Sequence, residues 1–94
     1  MGVVEKWVVS VKKKVGSRQI PRLPRGIQLL VFEAIDDLTK EGPRPLGWDV
    51  KKLEGNRFRL RLKREYRMVY YVYRGIITIE IVFAGHRKDA QKHY

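Results

Sequence analysis

The sequence predicts a small α+β domain: an antiparallel sheet, built from an N-terminal strand and a C-terminal three-stranded meander, packed on one main α-helix. Three observations carry that prediction. Residues 27–38 place apolar side chains at helical spacing, residues 57–84 alternate apolar and polar side chains at strand spacing, and glycines and prolines punctuate the segments between. The 94 residues suffice for one domain, 1–94, and not for two; an apolar share of 44% is ordinary for a folded chain.

Each element has its own local reason. Residues 3–11 are rich in β-branched side chains and set Trp7, Val9 and Val11 on one face, as a first strand does. Residues 12–26 carry many cations with Gly16, Pro21, Pro24 and Gly26, and read as a loop with room for one short helical turn. Ile27, Leu30, Val31, Ala34, Ile35 and Leu38 then form one apolar helical stripe. Pro24 suits the start of that helix and Gly42-Pro43 its end. Its polar side carries Glu33, Asp36, Asp37 and Glu41 against Lys40. Residues 42–56 read as a loop with an extended piece at 48–53, closed by a turn at Gly55-Asn56. Strands at 57–63, 66–73 and 76–84 complete the chain.

The meander has a register that can be worked out on paper. A three-residue loop at residues 63–65 sets Leu62 opposite Tyr66, Leu60 opposite Met68 and Phe58 opposite Tyr70. A two-residue turn at Arg74-Gly75 sets Val72 opposite Ile77, Tyr70 opposite Ile79, Met68 opposite Ile81 and Tyr66 opposite Phe83. Every pair on that face is apolar or aromatic, so a slip of one residue would turn Arg67 into the core. On the other face Arg61 then lies across from Arg67, Arg67 from Val82, Arg59 from Val69, and Val69 from Glu80. The last strand exits as Gly85-His86-Arg87-Lys88 beside the turn at Lys63-Arg64. Arg59, Arg61, Arg67, His86 and Arg87 therefore converge at one edge.

Such a row repels itself unless a polyanion lies against it, and the whole chain shares the bias: 21 Lys and Arg against 10 Asp and Glu give a formal charge of +11. Nucleic acid and an acidic protein are the partners this charge fits. A membrane is not, because no apolar run spans one and the amphipathic helix is acidic on its polar side. There is no cysteine, which excludes disulfides and thiolate metal sites, and the first residues lack a secretory pattern. A cytoplasmic protein is the expectation.

A row of arginines can be no more than a solvated strand face. Its convergence with His86 and Arg87 favours phosphate binding by guanidinium groups, which also stabilise charge developing on a phosphorane. Lys51, Lys52, Lys63, Arg64 and Lys88 extend the basic surface as candidate substrate contacts. The surrounding cations favour a neutral His86, as a general base needs. Glu80 reads as a partner of Arg59. His93 and Tyr94 are terminal; Tyr94 can stack on a base if the tail folds back, as Tyr71 and Tyr73 can from the sheet. No phosphate-cradling glycine loop, HExxH or other metal-ligand cluster is present. No cofactor or metal is expected, so phosphodiester chemistry here would use the 2′-hydroxyl of RNA as internal nucleophile.

Four segments, Trp48-Asp49-Val50-Lys51-Lys52-Leu53-Glu54-Gly55, Phe58-Arg59-Leu60-Arg61-Leu62, Tyr66-Arg67-Met68-Val69-Tyr70 and Gly85-His86-Arg87-Lys88-Asp89, make the chain resemble a RelE-type toxin of the RelE/ParE toxin–antitoxin superfamily. The resemblance covers almost the whole chain. It implies a toxin of a type II system: a metal-independent endoribonuclease, or mRNA interferase, that cleaves mRNA on the ribosome, inhibits translation and is neutralised by an acidic antitoxin. By position, it gives Arg59 and Arg61 the place of lysines, one of which serves relatives as a proposed base. It makes Arg67 and Arg87 the arginines that steady the scissile phosphate, His86 the histidine near the C-terminal end, and Tyr94 the tyrosine that stacks on the substrate base. Arginine at 59 is a departure, because it stays protonated. On this pattern either His86 is the base or substrate positioning supplies most of the rate. A ParE-like inhibitor of DNA gyrase without nuclease activity, and a non-catalytic RNA- or ribosome-binding module, are the alternatives.

Overall fold

The computed structural model describes residues 6–94, so the expected strand at 3–11 lies partly outside the described residues. Its described part is β1 (Val8–Val11), followed by α1 (Arg25–Glu41), β2 (Val50–Lys52), β3 (Arg57–Arg61), β4 (Tyr66–Tyr73), β5 (Thr78–His86) and α2 (Arg87–Ala90). The five strands form one sheet in the order β1-β5-β4-β3-β2. The fold is the expected α+β type, with two additions. The sheet is mixed, because β1 runs parallel to β5, and the extended piece before Gly55 joins as the fifth strand, β2, antiparallel to β3.

Residues 12–26 are more helical than their glycines and prolines suggest. A π-helical stretch, Val15–Gln19, runs directly into a 3-10 turn, Ile20–Arg22. Pro21 falls at the start of that turn, where a missing N–H costs nothing. The segment is held by burial of Val15, Ile20 and Leu23 rather than by propensity.

Helix α1 starts after Pro24 and stops at Gly42, which adopts φ +88°. Only glycine suits that stop: a Cβ there would lie 2.7 Å from Trp7 Nε1. The helix buries Ile27, Val31, Ala34 and Leu38 against Phe58, Leu60, Met68, Tyr70, Ile79 and Ile81 of the sheet. Each buried Ile, Val, Leu, Phe or Met side chain contributes about 1.5–3 kcal/mol. The Tyr70 hydroxyl donates to the Pro43 carbonyl, which satisfies the one polar atom this aromatic ring brings into the core. Burial pushes that phenol's pKa up.

Pairing between β3 and β4 follows the expected register: Phe58 faces Tyr70, Leu60 faces Met68, and Arg61 faces Arg67. Pairing between β4 and β5 does not. Residues 74–76 form a 3-10 turn and Ile77 takes φ +48°, so the connection is longer than two residues and Val72 faces Ile79. A bulge then intervenes: Tyr70 faces Ile81 but Val69 faces Phe83, leaving Val82 as the extra residue. Arg67 consequently faces Gly85 rather than Val82, and Tyr66 faces His86 rather than Phe83. The bulge puts Val82 and Phe83 together in a second apolar cluster with Val69 and Ala90 of α2. The C-terminal segment therefore folds back over part of the sheet face opposite α1.

Candidate nucleic-acid interface

Strand β3 presents Arg57, Arg59 and Arg61 on the face opposite α1, because Phe58 and Leu60 between them are buried in the core. Arg67 joins them from β4, directly across from Arg61. Gly85 is its neighbour on β5; a Cβ there would come 2.8 Å from Phe83 Cζ, so glycine lets the Phe83 ring lie beside this spot. Arg87 follows at the start of α2, its N–H donating to the Glu65 carbonyl at 2.8 Å.

Burial first, and then the fields of Arg61, Arg59 and Arg87, lower the pKa of Arg67, while Tyr94 opposes the shift. Strand pairing puts Arg59, Arg61 and Arg67 on one face of the sheet, and the hydrogen bond from the Arg87 N–H to the Glu65 carbonyl sets Arg87 beside the loop that joins β3 to β4. Arg67 is 7% exposed and its Nη1 donates to the carbonyls of Lys63, Arg64 and Tyr66 at 2.9–3.1 Å. One guanidinium thus ties the loop at Lys63 and Arg64 to the start of β4.

Two carboxylates that the sequence reading left aside enter the same surface. Asp49 lies 3.8 Å from Arg59 Nη2 and 3.4 Å from Arg61 Nε. Glu65 lies 3.3 Å from His86 Nε2 and 3.2 Å from Arg87 Nε. The signal for Asp49 was present: continuing the hairpin across Gly55-Asn56 sets residue 49 opposite residue 61, and the Arg61 N–H does donate to the Asp49 carbonyl at 3.0 Å. Glu80, the expected partner of Arg59, instead accepts from the Tyr73 hydroxyl at 3.4 Å.

His86 departs most from expectation. Its Nδ1 accepts the Lys88 N–H at 3.2 Å, capping α2, and its Nε2 faces Glu65. Its ring meets Tyr66 edge-on, with centroids 5.8 Å apart. A carboxylate, not cations alone, surrounds this imidazole, and both ring nitrogens are engaged. Of the basic residues expected to extend the surface, Lys51 pairs with Arg59 and so shares its face, whereas Lys52 pairs with Phe58 and belongs to the opposite one. Lys63 and Arg64 are exposed in the loop that Arg67 ties, and Lys88 is exposed in α2. Arg57 is used by the tail, its Nη1 reaching the His93 carbonyl at 3.5 Å. The His93 ring stacks at 4.7 Å on Phe83, so the terminal residues are docked.

No family model matches the chain, and no curated protein matches it. Solved structures do. The chain is 29% identical to a protein in the archaeal RelE–RelB complex of Pyrococcus horikoshii, over 87% of this chain and 96% of that one, with a TM-score of 0.77. A chain of a toxin–antitoxin complex from Mycobacterium tuberculosis is 25% identical, over 87% and 99% of the two chains, with a TM-score of 0.67. A chain of the RelB–RelE antitoxin–toxin complex from Methanococcus jannaschii shares the fold at 22% identity, over 90% and 98%, with a TM-score of 0.74.

Proposed function

From a chain that resembles the RelE-type toxins of the RelE/ParE superfamily over nearly all its length, we propose the toxin of a type II toxin–antitoxin system, acting as a metal-independent endoribonuclease on ribosome-bound mRNA. The observation that supports the nuclease reading is geometric: Arg59, Arg61 and Arg67 share one sheet face, and Arg87 is held beside the loop that joins β3 to β4. A face with this excess of guanidinium groups attracts an opposite charge.

On this reading the arginine face grips the phosphates flanking the scissile bond. The 2′-hydroxyl gives its proton to solvent water as its oxygen attacks the adjacent phosphorus; the 5′-oxygen leaves and takes up a proton from water, and a 2′,3′-cyclic phosphate remains. Arg67, fixed by three carbonyls, and Arg87 stabilise the charge that builds on the phosphorane. Arg59 and Arg61 remain protonated and cannot take the proton. His86 has no free nitrogen in this geometry, so positioning on the ribosome carries most of the rate. An acidic antitoxin would neutralise the toxin by covering the same cations.

Toe-printing of mRNA on ribosomes tests the proposal. The wild-type protein should produce cuts within codons, and Arg87→Ala should lose them while remaining folded. Arrested growth with intact transcripts would sink the nuclease and favour a ParE-like action.

A further inference from the structure

We infer that the arginine face contains two phosphate subsites, each closed in the free protein by one of the chain's own carboxylates: Asp49 between Arg59 and Arg61, and Glu65 between His86 and Arg87. The inference rests on the reading of this face as a nucleic-acid site and names the two positions at which one strand's phosphates are held.

The four contacts measure 3.2–3.8 Å, longer than the 2.7–2.9 Å of a strong charge-assisted hydrogen bond. The carboxylate side chains are 53% and 43% exposed, so each can swing into solvent. Their backbones cannot move as easily. The Asp49 carbonyl accepts the Arg61 N–H at 3.0 Å and the Glu65 carbonyl accepts the Arg87 N–H at 2.8 Å. A pinned backbone with a loosely held side chain describes a clasp that opens without disturbing the sheet. Arg67 contrasts with it, since its guanidinium is committed to three carbonyls and stays in place between the two clasps.

A carboxylate and a phosphate offer guanidinium similar oxygen pairs, so one replaces the other in the same cradle. Closing both clasps removes two charges' worth of repulsion from the unliganded face. A single small anion displaces one carboxylate for little gain. A strand carrying consecutive phosphates displaces both, which makes the face selective for a polyanion.

The test measures binding by fluorescence anisotropy, using a fully 2′-O-methylated RNA oligonucleotide, which cannot be cleaved, and inorganic polyphosphate as a second probe. Wild type is compared with Asp49→Asn, Glu65→Gln and, as a control on the far side of the molecule, Asp36→Asn. Each clasp variant should bind both probes about five-fold more tightly, the worth of one exposed ion pair. The control should change affinity less than two-fold. Asp49→Ser and Glu65→Ala, with thermal melting to verify folding, serve where an amide variant fails to fold.

Unchanged or weaker binding by folded clasp variants overturns the inference while leaving the nucleic-acid reading intact if RNA still binds. Tighter binding of polyphosphate without any binding of RNA keeps the subsites and removes the nucleic-acid reading. Failure of every form to bind either probe overturns both.

Discussion

Arg67 and Arg87 stand on the same surface, but their surroundings give the two guanidinium groups different costs of removal. Arg67→Ala deletes three hydrogen bonds, to the carbonyls of Lys63, Arg64 and Tyr66, and empties the buried space its side chain fills, so about 1–3 kcal/mol of stability should go with the activity. Urea titration would reveal it as a lower midpoint. Arg87, about half exposed and bound only through Glu65, should behave otherwise: Arg87→Ala leaves the midpoint within about 0.5 kcal/mol and cuts cleavage by about 100-fold or more. Equal stability losses in the two variants would contradict this division of labour. His86 offers a second contrast. As a cap, His86→Asn keeps an acceptor for the Lys88 N–H and should retain cleavage within a few-fold, whereas His86→Ala should loosen α2 by about 0.5–2 kcal/mol. A loss of about 100-fold or more in the asparagine variant would restore the histidine as a base.

At the scale of elements, two joints hold the face in place. The end of α1 depends on Gly42, where any side chain meets both a left-handed backbone and the Trp7 indole. Gly42→Ala should therefore cost at least about 1–2 kcal/mol, read from denaturant unfolding, with β1 and its neighbour α1 losing hydrogen-exchange protection first. The other joint is the C-terminal segment, docked through Ala90 and through His93 on Phe83. Burial first, and then Lys14, Lys12 and Lys92, lower the His93 pKa below its ordinary 6.5. A histidine with a depressed folded pKa binds its proton more readily once unfolded. Its contribution to docking is complete above pH 6.5 and declines as the pH falls through the folded pKa below that value. Melting temperature should thus decline on acidification from pH 7, and His93→Gln should flatten that decline; identical pH profiles would exclude the effect.

Over the whole molecule, charge is segregated: Glu33, Asp36, Asp37 and Glu41 project from α1, and the arginines lie across the sheet from it. With about four phosphate contacts on a single strand, log K for RNA should fall by about 2–3 per tenfold rise in salt. A shallow dependence in a filter-binding series would mean the arginine face is not the docking surface. Among the described residues no helix is long and apolar enough to cross a membrane. Much of this layout was legible in one dimension. The apolar stripe at 27–38 set the helix, and the alternation at 57–62 set which face of β3 carries arginine, because helical and strand periods are local properties of the chain. Pairing of β3 with β4 followed, since the short loop at residues 63–65 sets the register and a slip of one residue buries a charge. Other features had no local signal. The helical path of residues 15–22 depends on a core that exists only once the sheet is formed, and the bulge at Val82 answers to Ala90 arriving from beyond the strand. Local periodicity thus determined the main helix, the strands of the meander and the side of the sheet where positive charge gathers. Tertiary structure alone decided that Glu65 meets both His86 and Arg87, because those partners come together through turns and strand pairing rather than through neighbouring positions in the chain.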